Sequence, residues 1–187
     1  MRALLAVLAG VLVVAVAARV TATIPGSPVP QSAQTLGVLV IGALLGARLA
    51  ATALVAYLAV GALGVPVFAD GGAGWFHLTG LTAGYLVGFV LAASLLGWLR
   101  ERGHLDRLLP CAIAMLAGHT VIMATGWAWL AASTGPGPAY TQGVAPFLMG
   151  GALKSLLGAA IVLLALRWRS LHQEPTHATS GRPRGEP

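Results

Sequence analysis

Six long apolar runs, separated by short polar or glycine- and proline-rich segments, fill almost all of the chain up to residue 169. A helix that crosses the hydrocarbon core of a bilayer needs about 20 mostly apolar residues. Hydrophobic residues make up 57% of the sequence and charged residues only 9%, a balance that is too apolar for a soluble domain of this size. The sequence therefore predicts an all-α, polytopic membrane protein in which residues 1–169 form one bundle of six transmembrane helices.

The limits of the apolar runs give the limits of the predicted helices. Prolines after the first run and glycines after the third interrupt the helical pattern, and polar loops separate the later runs. The predicted helices cover residues 4–24, 33–46, 49–67, 78–99, 110–132 and 144–166. Residues 170–187 are polar without an apolar period, which predicts a disordered cytoplasmic tail.

The arginines predict the orientation of the bundle. With six spans, nearly all cations outside the apolar runs fall on one side of the membrane: Arg2, Arg48, Arg100, Arg102, Arg107, Arg167 and Arg169. Cytoplasmic loops carry an excess of Lys and Arg, so this side and both termini are predicted to be cytoplasmic, with Arg19 as the exception. We predict a multi-pass protein of the bacterial cell membrane. The cations are dispersed rather than clustered, which argues against a nucleic-acid partner.

The N-terminus has an alternative interpretation. Met1-Arg2, an apolar stretch and the small-residue site around Ala22 also resemble a secretory signal peptide. Its removal would leave five helices and destroy the regular alternation of charge between the two sides. We therefore favour an uncleaved first helix.

Lys154 is the residue that most strongly indicates a function. It lies two turns inside the last predicted helix, with no acidic residue near it in sequence. A lysine at the centre of a membrane costs about 2.5–3.5 kcal/mol on insertion scales, and such residues usually face a wet cavity or a partner. We predict that Lys154 binds an anionic or strongly hydrogen-bonding ligand from the outer side. The alternative is a lysine that extends to the membrane surface.

The predicted outer loops and the helix ends beside them supply other groups suited to a ligand. They combine neutral hydrogen-bonding groups, aromatic rings and flexible glycines, and irregular backbone at membrane depth is tolerated where it lines a cavity. Loops with interfacial aromatics are the alternative. The candidate substrate-binding residues are Lys154, Gln34, Thr35, Phe68, Trp75 and Tyr85.

The sequence lacks the residue patterns that are typical of metal-binding and catalytic sites. His77 and His119 lack a second ligand at helical spacing and are interpreted as hydrogen-bonded packing residues. Cys111 has no partner for a disulfide or a multi-cysteine site. The segment Gly150–Ser155 lacks the glycine that precedes the lysine of a phosphate-binding loop. The sequence therefore predicts no metal, no cofactor and no enzymatic activity.

Small residues spaced four apart predict close contacts between helices. Gly80, Gly84 and Gly88 form such a series on the fourth predicted helix. Ala6 and Gly10 form a similar pair on the first helix. That pair could face another helix of this chain or another subunit, and the sequence leaves both possibilities open.

Several segments, in order and with their spacing, are similar to BioY, the family of biotin-specific S components of energy-coupling factor (ECF) transporters. Together they extend through nearly the whole membrane portion. The segments are Pro28–Leu39, Gly42–Gly46, Gly61–Ala69, Thr82–Phe89, Gly126–Leu130 and Gly143–Lys154.

The resemblance implies a six-helix bundle that captures biotin from outside the cell, beneath a cap made of the first and third outer loops. Lys154 would bind a polar end of biotin, most simply its carboxylate, and aromatic rings would pack against the bicyclic body. A transmembrane coupling (T) subunit and two cytoplasmic ATPases would supply the energy. Ala6 and Gly10 would then form the docking surface for the coupling subunit.

One departure from the family pattern leaves the ligand open. The family usually has Pro-Gly-Asp where this chain has Met149, Gly150 and Gly151. The missing aspartate implies another acceptor, for which Asp70 and Gln34 are candidates, or weaker binding, or a related ligand. The alternatives are therefore an S component for another small vitamin or precursor, or a membrane enzyme or assembly subunit in which His77 or His119 is essential or Lys154 is dispensable.

Overall fold

The structure is a computed structural model that describes residues 1–22 and 24–172. Helices carry most of this part of the chain, and its strands are confined to a hairpin of two-residue strands, Thr21–Ala22 (β1) and Gln31–Ser32 (β2), which pair antiparallel. The predicted all-α class is confirmed at this coarse level. The helices are α1 Arg2–Ala17, α2 Gln34–Leu45, α3 Ala47–Ala62, α4 Trp75–Thr79, α5 Ala83–Glu101, α6 Leu108–Thr134, α7 Pro136–Gly143 and α8 Leu148–Leu171, with 3-10 turns at Ala69–Gly71 and Ala145–Phe147.

Helix α2 is the centre of the bundle. It contacts α1, α3, α5, α6 and α8, and its glycines permit the close approaches. A Cβ added at Gly42 would lie 2.7 Å from the carbonyl oxygen of Ala93 on α5, and one at Gly37 would lie 3.1 Å from the Cβ of Ala17 on α1. Small residues thus allow the backbones of neighbouring helices to approach closely.

Helices α5 and α6 form the most extensive pair, and two glycines of the predicted series lie in their contact. An added Cβ at Gly88 would lie 2.9 Å from the Cα of Ile122, and one at Gly84 would lie 2.5 Å from the carbonyl oxygen of Thr125. Gly80 is not part of this helix face, because α5 begins only at Ala83. The prediction that Gly80 shares this helix face is therefore wrong.

Several helix ends differ from those in the sequence prediction. The predicted helix 4–24 ends at Ala17, because the apolar residues beyond it enter the β-hairpin. The predicted helix 49–67 ends at Ala62, before Gly64 with its φ of +98°. The predicted helix 78–99 is divided into the short α4 and the longer α5. Apolar composition alone does not distinguish a helix from an apolar loop: Val20 and Leu63, which lie just beyond the ends of α1 and α3, are 66% and 85% exposed.

Among the described residues, three stretches are long and apolar enough to cross a membrane by length and composition: Ala83–Glu101, Leu108–Thr134 and Pro136–Leu171. The apolar helices α1, α2 and α3 are shorter. Helix α2 has 12 residues, which corresponds to about 18 Å of helix against a hydrocarbon core of about 30 Å. Helix α8 continues to Leu171, so the prediction of a disordered tail is wrong for residues 170 and 171, and residues 173–187 of that tail lie outside the described residues.

The bundle has two chemically different ends. At one, which we call the arginine end, Arg100 donates hydrogen bonds of 3.2 and 2.9 Å to the carbonyl oxygens of Ala43 and Leu44 at the end of α2. Arg169 also donates to Leu44, at 3.2 Å, and the carboxylate of Glu101 accepts from the backbone N–H of Ala47 at 2.8 Å. Cations next to helix C-terminal carbonyls are stabilising. The hairpin, α4 and α7 lie at the opposite end, the loop end.

Candidate functional site

A cavity of about 420 Å³ opens at the loop end. Its wall is built from the β-hairpin, the start of α2, the segment after α3, the start of α5, the middle of α6 and the start of α8. This size lies in the range of sites for small organic molecules, which are usually apolar clefts with a few polar groups. The cavity is therefore the candidate functional site.

Lys154 lies in the wall of this cavity. A long side chain on a helix is directed toward the N-terminus of that helix, which carries the Lys154 ammonium toward the loop end. Its Nζ donates a hydrogen bond of 2.6 Å to the carbonyl oxygen of Ser32 in β2. The partner is a neutral carbonyl rather than a carboxylate, so the positive charge of Lys154 is available to an anion in the cavity.

Gln34 and Thr35 bring the first turn of α2 into the cavity wall. The Gln34 amide nitrogen donates to the hydroxyl oxygen of Tyr57 at 2.6 Å, and the Tyr57 hydroxyl donates to the carbonyl oxygen of Val67 at 2.8 Å. This relay fixes the orientation of the Gln34 amide and ties α2 to the segment after α3. Thr35 differs, because its buried Oγ1 has no hydrogen-bond partner in the described part of the chain.

Two aromatic residues of the cavity wall, Phe68 and Tyr85, are held in place by neighbouring groups. Phe68 is buried, lies edge-on to Tyr57 with ring centroids 5.5 Å apart, and stacks on His77 at 5.5 Å. The Tyr85 hydroxyl donates to the carbonyl oxygen of Gly143 at 2.8 Å. Both Phe68 and Tyr85 line the cavity. Rings fixed in this way provide a preformed apolar surface for a flat ligand body.

Trp75 is the one candidate binding residue that the structure places elsewhere. Its side chain is 68% exposed and does not line the cavity, whereas the next residue, Phe76, does. Both residues belong to the five-residue helix α4, on which successive side chains point in different directions. The other predicted residues, Lys154, Gln34, Thr35, Phe68 and Tyr85, come together around one cavity.

The loop after α3 forms one side of the cavity mouth. Asp70 lines the cavity and has left-handed backbone angles, with φ 55° and ψ 24°, which Asp tolerates better than most residues. The N–H of Phe68 donates to the carbonyl oxygen of Gly72 at 3.0 Å, which closes the turn. Arg19 donates to the carbonyl oxygen of Pro66 and fastens the loop to the end of α1. A carboxylate is thus held at the mouth.

His77 and His119 also line the cavity. The interpretation of His119 as a hydrogen-bonded packing residue is wrong in one respect, because its buried Nδ1 has no partner among the described residues. A histidine inside an apolar run was the available signal, but the sequence did not show which face of the helix carries it. Within residues 1–22 and 24–172, no group of three or more His, Cys, Asp or Glu could hold a metal ion.

Gly10 of α1 lies at a contact within the bundle. This residue is buried against α3, and an added Cβ would lie 2.9 Å from the Cβ of Ala53. Gly10 therefore packs against a helix of this chain, whereas a docking surface for another subunit at Ala6 and Gly10 stays a prediction. Ala6 is half-buried. The outward face of α1 instead presents large apolar side chains, namely Leu4, Leu5, Leu8 and Leu12.

Comparison with known proteins gives a consistent result. The model of the BioY family matches residues 1–172. A probable biotin transporter BioY of Pyrococcus horikoshii is 36% identical over 140 residues, which cover 75% of this chain and 80% of that protein. A biotin transporter BioY of Rhizobium etli is 35% identical over 144 residues, which cover 72% of this chain and 76% of that protein.

A solved structure shares the fold. It is described as the S-component for biotin from an ECF-type ABC transporter, and it superposes with a TM-score of 0.80 over 89% of this chain and 91% of that chain, at 21% sequence identity. The named relatives are transporters rather than enzymes, in agreement with the predicted lack of enzymatic activity. The match of the family model over nearly the whole chain, together with these relatives, shows that the chain belongs to the BioY family.

Proposed function

We propose that this chain captures biotin in the cavity at the loop end and acts as the S component of an ECF-type importer. The observation that carries the proposal is the position of Lys154, whose ammonium group lies in the wall of a largely apolar cavity of about 420 Å³. The relatives named as biotin transporters support the choice of ligand.

The chemistry of biotin matches the cavity group by group. Biotin has an aliphatic chain that ends in a carboxylate and an apolar bicyclic body that carries a ureido group. Lys154 binds the carboxylate through a charge-assisted hydrogen bond. Phe68 and Tyr85 pack against the bicyclic body. Asp70, together with the amide oxygen of Gln34, offers acceptors for the ureido N–H groups.

The proposed topology has six spans, both termini in the cytoplasm and the cavity open to the outside of a bacterial cell. Arg100 and Arg169 cap α2 at the end opposite the cavity, which supports a cytoplasmic location for the arginine end. Helix α1 packs against α2 and α3, which supports an uncleaved first helix. Helices α1 to α3 are short for membrane spans. In the proposed topology, loops and neighbouring helices fill the remaining thickness of the membrane at these three spans.

The proposed partners follow from the same assignment. A transmembrane coupling subunit and two cytoplasmic ATPases drive uptake, and ATP is used only by those subunits. This chain contributes the binding site and requires no cofactor of its own. The fold shared with the S-component for biotin supports these partners.

A second candidate is an S component for another small vitamin, and one observation favours it. Gly151 provides no carboxylate on α8, and an added Cβ there would lie 2.9 Å from Cδ2 of His119, so the imidazole occupies the adjacent space. A ligand without ureido N–H groups would need fewer acceptors. The two candidates differ only in the molecule that occupies the cavity.

Equilibrium binding to the purified, detergent-solubilised protein separates the two candidates. Biotin, thiamine and riboflavin are titrated separately, and the unfolding midpoint shows that each sample is folded. Saturable binding of biotin alone supports the primary proposal. Binding of another vitamin with no binding of biotin would replace it with the second candidate.

A further inference from the structure

Two buried side-chain polar atoms in the described part of the chain have no hydrogen-bond partner: Oγ1 of Thr35 and Nδ1 of His119. Both residues line the cavity that also contains Lys154. Leaving a buried polar atom unpaired costs about 1–3 kcal/mol, and native proteins contain few such atoms. Their common location indicates that the missing partner is the molecule that occupies the cavity.

His119 is the more informative of the two because its ring is firmly placed. The residue is only 5% exposed and lies in the middle of α6. Its ring rests on Gly151, where an added Cβ would lie 2.9 Å from Cδ2 and 3.0 Å from Nε2. An imidazole can donate and accept hydrogen bonds. In this position a purely apolar side chain would pack as well without an unpaired nitrogen.

The ring of His119 and the side chain of Lys154 belong to the same part of the wall. Gly151, on which the ring rests, precedes Lys154 by three residues, and residues with this spacing share a helix face. The Lys154 side chain is directed toward the N-terminus of α8, which is also the direction of Gly151. The two side chains therefore approach the same cavity from neighbouring helices, α6 and α8.

We propose that His119 is a specificity-determining residue that donates a hydrogen bond from Nδ1 to the carboxylate of the bound molecule, beside the ammonium group of Lys154. The identity of the molecule rests on the proposed function. Two donors from different helices then bind the two oxygens of one carboxylate, and Gly151 is the residue that leaves room for the imidazole. When the molecule binds in the cavity, the buried Nδ1 of His119 gains a hydrogen-bond partner.

A contact with the ligand and a packing role predict opposite effects on stability. If His119 binds the ligand, His119→Leu removes an unpaired buried polar atom, and the unfolding midpoint without ligand stays the same or rises. Biotin affinity then falls about 10- to 100-fold, the range for a hydrogen bond to a charged group. His119→Asn retains a nitrogen donor near the position of Nδ1 and preserves most of the affinity.

The test compares biotin with biotinamide, in which a neutral carboxamide replaces the carboxylate, by calorimetric titration of the full-length protein. The expected result is that the preference of the wild-type protein for biotin falls about tenfold in His119→Leu and is largely retained in His119→Asn. Thr120→Val is the matched control. Thr120 follows His119, is exposed, bonds to its own helix at Leu116 and does not line this cavity.

Each other outcome has a defined meaning. A folded wild-type protein that does not bind biotin overturns the proposed function. Wild-type binding with an unchanged preference in His119→Leu overturns the role of His119 alone, as does an equal loss for biotin and biotinamide. If His119→Leu does not fold, Gly151→Ala displaces the ring without removing a polar group. The same loss of preference is expected there, and an unchanged preference overturns the inference.

Discussion

The Nζ of Lys154 donates a hydrogen bond of 2.6 Å to the carbonyl oxygen of Ser32, and so joins the last helix of the bundle to the β-hairpin between the first two. The two residues are 122 positions apart in sequence. This contact places a cation beside the segment that covers the cavity. A carboxylate bound by Lys154 would therefore lie beside the hairpin as well.

The hydroxyl of Tyr57 is predicted to contribute to stability through the relay between Gln34 and Val67. Tyr57→Phe leaves the Gln34 amide nitrogen and the Val67 carbonyl oxygen without the partner they have in the structure. A loss of about 1–3 kcal/mol in the free energy of unfolding is expected, measured by thermal or denaturant unfolding in detergent. Tyr140→Phe is the control, since Tyr140 is 50% exposed. Equal stability of the two variants would contradict the relay.

Gly42 is predicted to be essential for the contact between α2 and α5. The Cβ of Gly42→Ala would lie 2.7 and 2.8 Å from the carbonyl oxygen and Cα of Ala93. Because both are backbone atoms, the helices must separate, at a cost of about 1–3 kcal/mol. The measurement is the unfolding midpoint. In the control Gly137→Ala, the added Cβ has nothing within 4 Å, and stability should be unchanged or higher. A Gly42→Ala protein as stable as the wild type would refute this packing.

Restoring the family aspartate alone is predicted to weaken biotin binding. The Cβ of Gly151→Asp would lie 2.9 Å from Cδ2 of His119, so the new side chain and the imidazole compete for the same space. Combining it with His119→Ala relieves the conflict. A double-mutant cycle on biotin affinity should therefore show that the double variant binds better than the sum of the two single changes predicts. Additive effects, or tighter binding by Gly151→Asp alone, would show that no conflict exists.

Residue type and family resemblance together predicted much of the cavity. Lys154 stands out because a lysine inside an apolar run is costly, and it does line the cavity. Whether the lining residues bind a ligand stays a prediction. Trp75 shows where the sequence falls short, because the orientation of a five-residue helix is set by tertiary contacts rather than by an apolar period.

The helix ends and His119 were harder to predict for a related reason. Residues after Ala17 are apolar enough for a helix, yet they form the hairpin that covers the cavity. His119 and Gly151 contact each other across two helices. A contact of this kind depends on how α6 and α8 are rotated about their axes, which a single sequence does not specify.

The most direct test of the central claim is calorimetric titration of biotin into the purified wild-type protein and into Lys154→Met, which keeps the length of the side chain but removes its charge and donors. Arg102→Met is the control, since Arg102 lies at the arginine end over the ring of Trp98. We expect saturable binding by the wild type and the control, and an affinity about 10- to 100-fold lower for Lys154→Met. A folded wild-type protein that does not bind biotin, or a Lys154→Met protein that binds it as tightly, would contradict the account.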